Sequence, residues 1–283
     1  MSMPSVPEAP TPQGRIDTLS GWLMWAGLPM ALVVGLLSLP VMDPAHKQTL
    51  FLRLNHAAAH YPDAVWSFFT LLGDTTLLFV LLAPLLLRAP RAVVAAMIAA
   101  PIGGIMSLVA KNILDAPRPG ALLEPEQFHL IGPLWLYNSF PSGHTLTAFA
   151  AISAVLISVV PTLQRRRGLL LTLGLVSLAS LIGFSRIAVG AHWPQDVVGG
   201  AGIGWLAGLT GVLVMQRFPS FWQSELSLRI IASFLATLGL WLIITPLDYP
   251  RGSLAAWIAA IGSWVGLALN IRKLLNPSPA ATS

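Results

Sequence analysis

The chain has 283 residues, 55% of them hydrophobic and only 10% charged, with a mean hydropathy of +0.74. Water-soluble domains run at about a quarter charged, and disordered chains pair low hydrophobicity with high charge, so both classes are excluded. The net charge of +5 is read first as membrane topology; no nucleic-acid partner is expected.

There is no cysteine, which excludes disulfides, thiolate catalysis and cysteine-based metal or cluster sites. Residues 1–21 are rich in Pro, Ser and Thr and carry one basic residue, Arg15. They are expected to form a disordered leader. The apolar run from about Trp22 to Val41 is long enough for a span, which takes about 20 residues. It is also longer than a signal-peptide core, so an uncleaved first span is expected. Residues 45–62 alternate Lys47, Arg53, His56 and His60 with apolar positions, which suits a helix lying in the interface. Further spans are expected at Ser67–Leu87, Val93–Lys111, Ser142–Leu163, Gly168–Ser185, Asp196–Gln216, Leu228–Thr245 and Leu254–Leu269. The expected fold class is therefore all-α: a polytopic membrane helix bundle. It has a six-span core within residues 22–217 and two additional spans within 218–283.

With both termini inside, the inside segments hold 10 basic residues and the outside segments 6. The positive-inside rule favours that orientation. Lys111, Arg118 and Arg186 are among the six outside, against the bias, and each falls in a polar cluster on the outer side.

The first cluster is Lys111 to Pro119. Lys111 ends a helix, and Pro117 and Pro119 hold the chain extended around Arg118. Asp115 between them is expected to face water. The second is Phe140-Pro-Ser-Gly-His144, a helix start with Ser142 at the N-cap. A helix N-terminus offers free N–H groups to an anion, and Gly143 allows close approach. His144 stands in the first turn. The third runs from Ser185-Arg186 to His192 and Asp196. With Pro194 opening a helix, Asp196 is placed to accept from one imidazole nitrogen of His192 and aim the other. Each cluster alone also fits a bland role: a snorkelling lysine, an ordinary cap, a structural His–Asp pair. Together they bring three cations, a helix N-terminus, two histidines and a carboxylate to one face, which suits a phosphate dianion. His46, His56, His60 and His129 are scattered, and no metal or other cofactor is expected.

Lys111-x6-Arg118-Pro119, Pro141-Ser142-Gly143-His144 and Ser185-Arg186-x5-His192-x3-Asp196 resemble the three signature motifs of the type 2 phosphatidic acid phosphatases. The likeness covers about residues 45–217. It implies that His192 is the nucleophile, forming a phosphohistidine, that Asp196 orients it, and that His144 is the general acid. It implies that Lys111, Arg118, Ser142, Gly143 and Arg186 bind phosphoryl oxygens. The vanadium haloperoxidases carry similar motifs, but they are soluble, which this composition excludes.

An outer-face site suits a lipid phosphate whose tail stays in the bilayer. The expected activity is metal-independent hydrolysis of a phosphomonoester or pyrophosphate headgroup at the periplasmic face of a bacterial inner membrane. Undecaprenyl pyrophosphate comes first, then phosphatidylglycerol phosphate or phosphatidic acid, then lipid A. The alternatives are transfer of the phosphoryl group to another lipid, and a non-catalytic lipid-phosphate transporter. Phe128, Trp135, Tyr137 and Phe140 in the 120–140 loop are expected at an interfacial lip.

Overall fold

The computed structural model describes residues 44–222, 224–249 and 253–275, together with Gly27 and Met30. The expected leader and first span lie outside the described residues, those two positions excepted. The helices are α1 (Pro44–Ala58), α2 (Asp63–Leu71), α3 (Thr75–Leu82), α4 (Pro90–Leu114), α5 (Gly143–Val159), α6 (Arg165–Ala188), α7 (Pro194–Arg217), α8 (Glu225–Ile244) and α9 (Ser253–Leu275). Single helical turns lie at Pro119–Leu122 and Pro219–Trp222. No strand occurs among the described residues, and the protein is an all-α helix bundle.

Among the described residues, five helical stretches are long and apolar enough to cross a membrane: Pro90–Leu122, Gly143–Thr162, Arg165–Ala188, Pro194–Arg217 and Glu225–Ile244. The span expected at Ser67–Leu87 is not one straight helix. It is α2 and α3, bent by 70°. The break has a local cause. Asp74 caps α3, its carboxylate accepting from the Leu77 N–H at 2.9 Å, so a new helix starts there. Gly73 beside it is held against the chain of His144, where an added Cβ would lie 2.9 Å from the His144 Cβ. A straight helix through this point would not make that approach. In α9 the apolar stretch is short, Trp257–Gly266.

α4, α5 and α7 pack on one another at the centre. Gly200, Gly204 and Gly208, four residues apart, form one face of α7. A Cβ on Gly200 would lie 2.6 Å from the Ser142 carbonyl oxygen, and one on Gly204 2.3 Å from that of Leu146. One on Gly208 would fall 2.4 Å from that of Ala150. In a membrane, where apolar burial gives no net drive between helices, such small-residue faces let backbones meet and gain dispersion contacts. The seam brings the start of α7 beside the start of α5, where the Ser142 N–H donates to the Asp196 carbonyl at 3.0 Å.

α1 docks on α6 and α7. Its fully buried Asn55 donates to the carbonyls of His129, Ile187 and Ala188 and accepts from the His129 N–H at 2.7 Å. This one side chain ties α1 and the 128–131 loop to the end of α6. α8 and α9 pack on each other and on α3, and the chain between them returns to the site through Tyr249, which is buried.

Candidate active site

The site lies where α4 and α6 end and α5 and α7 begin. Lys111 is half-buried in the last turn of α4. Beyond it Asp115 is exposed and takes a left-handed conformation, φ +34°. Arg118 follows in extended backbone, as the flanking prolines require. Its guanidinium is buried and donates to the Tyr137, Asn138 and Ala191 carbonyls at 2.8, 3.2 and 3.1 Å. Its Nη1 also stands 3.2 Å from Nε2 of His192. A guanidinium can only donate, so Nε2 accepts and the ring proton sits on Nδ1, facing Asp196.

His192 is reached through a tight turn at Gly190, whose φ of +79° suits glycine. Burial pushes the His192 imidazole well below its usual range, and Arg118, Arg186 and Lys111 push it further. The ring is thus held neutral, which leaves Nε2 able to accept.

Asp196 lies in the first turn of α7, as the spacing predicts, and its Oδ2 is 3.4 Å from His192 Nδ1. The contact is looser than a formed hydrogen bond, and Nδ1 has no partner. Asp196 Oδ2 is instead occupied by the Ser139 hydroxyl and by the Trp193 N–H at 2.9 Å. Catalytic hydrogen bonds are often long before substrate is bound.

Ser142 occupies the N-cap position of α5, but its side chain does not cap the helix. Its buried hydroxyl accepts from Thr145 Oγ1 at 2.9 Å. Nothing stands within 4 Å of a Cβ built on Gly143, so the α5 N-terminus is open to an approaching anion. His144 faces two recesses. One is a cavity of about 400 Å³ lined by Lys111, Gly143 and His144, by Asp74, Thr75, Ser107 and Thr147, and by apolar residues that include Leu78, Phe79 and Ala100. The other, about 150 Å³, is lined in part by Trp241, Leu242 and residues 245–249.

The eight residues singled out from the sequence thus gather at one end of the bundle. Sequence reasoning missed four neighbours. Ser139 bonds Asp196. Thr70 and Tyr249 bond Arg186. Lys47 of α1 places its Nζ 4.4 Å above the Trp193 ring; burial lowers its pKa, and Asp196 pulls the other way. Ser139 lies beside the second motif in sequence and was within reach, whereas Lys47 lies far from all three. Of the four loop aromatics, Trp135 and Tyr137 are exposed, whereas Phe128 is buried edge-on against Phe51 and is core rather than lip.

Fold and site together define a helical membrane protein with a cationic His–Asp centre at one end of its bundle. Residues 89–220 match the PAP2 superfamily, and the chain belongs to that family. Phosphatidylglycerophosphatase B of Escherichia coli K12 is 39% identical over 79 residues, 28% of this chain and 30% of that one. An undecaprenyl-diphosphatase of Sulfolobus acidocaldarius is 30% identical over 104 residues, 37% of this chain and 44% of that one. The match thus spans less than half the length of either relative. The crystal structure of Aquifex aeolicus LpxE is 31% identical with a TM-score of 0.52, covering 61% of this chain and 98% of that one.

Proposed function

We propose that this protein is a lipid phosphatase that hydrolyses a phosphate or diphosphate headgroup through a phosphohistidine. The observation that carries the lipid reading is the 400 Å³ cavity. Lys111, Gly143 and His144 line it, most of its other lining is apolar with Asp74, Thr75, Ser107 and Thr147 as the polar exceptions, and the exposed Gly104 and Leu108 border it. A phosphate near Lys111 and the start of α5, with an apolar tail along the apolar part of the lining, fits that cavity.

In the proposed reaction, Lys111, Arg118, Arg186, the Ser142 hydroxyl and the N–H of Gly143 hold the phosphoryl oxygens. Arg118 transfers its Nη1 donation from His192 to the phosphoryl group as substrate arrives. His192 Nε2 then attacks phosphorus while the bond to the leaving oxygen breaks, and His144 gives that oxygen its proton. Asp196 supports the ring as it gains charge. Water next adds to phosphorus and yields a proton to His144, and the N–P bond breaks to release phosphate. The cations and backbone N–H groups stabilise the charge on the transferring group.

The proposed setting is a bacterial inner membrane with cytoplasmic termini and a periplasmic site. Charge placement supports it. Arg91, Arg165, Arg166, Arg167 and Arg217 stand at the ends of α4, α6 and α7 opposite the site, where the positive-inside rule puts the cytoplasm. Undecaprenyl pyrophosphate, phosphatidylglycerol phosphate and lipid A are supported by the names of relatives; phosphatidic acid has the same amphipathic shape. Phosphate release from these four by the purified protein ranks them. His192→Ala should lower the rate at least a thousandfold with the preferred lipid. Release unchanged in that variant would overturn the proposal.

A further inference from the structure

Arg186 ends α6, and its guanidinium is held from two sides by residues far away in sequence. Its Nη1 donates to the hydroxyl of Thr70 at the end of α2 and to the hydroxyl of Tyr249 at 3.0 Å. Thr70, Arg186 and Tyr249 are each at least 97% buried. Both anchors take the same nitrogen, and the buried Nε has no protein partner. An arginine fixed through one nitrogen keeps its remaining N–H groups in a set direction, which is what bidentate recognition of an anion needs.

Tyr249 is itself fixed. Its ring lies 5.5 Å from the Arg186 guanidinium carbon. On another side is Gly132, at φ +83°, where an added Cβ would lie 2.6 Å from Tyr249 Cε1. The 128–132 loop therefore leaves a glycine-shaped gap for this ring, and the loop is tied to the end of α6 by the Ile131 N–H to the Val189 carbonyl. Tyr249 comes from the stretch between α8 and α9, beyond the family match at 89–220, and none of the three motifs includes it.

We propose that Tyr249 is a positioning residue of the phosphate clamp: the C-terminal helices deliver its hydroxyl to Arg186 and set the guanidinium for the phosphoryl group. α8 and α9 are then part of the catalytic apparatus rather than an appended anchor. The inference rests on Arg186 belonging to the clamp.

The test uses the full-length protein in detergent micelles, with a water-soluble phosphomonoester as substrate and vanadate as a tail-free mimic of pentacoordinate phosphorus. Tyr249→Phe keeps the ring and removes the hydroxyl. It should weaken vanadate inhibition and lower kcat/KM, each about tenfold, the scale of one hydrogen bond to a charged group. In an Arg186→Lys background the same change should cost less than about twofold, because residues acting as a unit are not additive. A merely structural tyrosine would lower the melting point and leave vanadate potency alone, or would cost the same in both backgrounds; either result overturns the proposal. Should Tyr249→Phe fail to fold, Gly132→Ala displaces the ring by its Cβ, and unchanged vanadate potency there overturns it as well. Vanadate potency untouched by Arg186→Lys removes the clamp assignment and the inference together. A sensitive Arg186 with an insensitive Tyr249 removes the inference alone.

Discussion

α6 and α7 are both 24 residues long, with window hydropathies of 2.0 and 1.8, yet 28% of the first window and 56% of the second is buried. Hydropathy says that each can cross a membrane and nothing about which neighbour it meets. The difference lies in what the glycines touch. Gly204 of α7 faces the α5 backbone, while Gly174 of α6 is exposed with nothing within 4 Å of an added Cβ. α7 is cut along its length to fit a protein partner, whereas α6 packs closely at Gly168 and Gly183 and faces outward at Gly174 between them, though both carry site residues at their ends.

The sharpest way to break this comparison is to substitute the two glycines. Gly204→Val should destabilise the fold by about 1–3 kcal/mol, because the new carbons meet fixed backbone. Gly174→Ala should be neutral or add up to about 1 kcal/mol through helix propensity. Thermal unfolding in micelles reads both. If the two variants melt alike, the distinction between seam and outer face is wrong.

A second test asks what the seam delivers. It buries His192 among cations, and burial first and those charges second lower its pKa. In the proposed mechanism neutral His192 is the reactive form, so a lowered pKa would keep it reactive to more acidic pH. The acid limb of kcat/KM should lie below about 6.5, the usual histidine value. Replacing Arg118 with Gln removes one cause of the depression, so the limb should move up in pH. A downward shift, or none, would contradict the assignment.

The smallest expected effect is none. With charge stabilised by Lys111, Arg118 and Arg186, phosphate release should be unchanged after dialysis against EDTA, and a loss restored by a divalent cation would place a metal in the site. Together the three results separate the packed interior, the charged end and the clamp.

Much of the site was legible in the sequence because its signals are short-range. Prolines set the extended chain at Arg118 and the start of α7, and Gly190 makes the turn before His192. The break at Gly73-Asp74 was also present as a helix cap, but an apolar run on both sides masked it. The glycine spacing of α7 was equally visible. What it packs against was not, since a small face is silent about its partner.

By itself, the sequence determined an all-α membrane chain, the eight candidate site residues within the three motifs and the helix ends that carry them. All of these follow from apolar length, proline, capping and charge acting within a few residues. Only the tertiary structure decided that α2 and α3 bend, that Ser139 occupies Asp196 across 57 residues, and that Thr70 and Tyr249 hold Arg186 across 116 and 63. Hydrogen bonds and close packing act over a few ångströms of space, and residues that far apart in the chain meet only once the helices have packed.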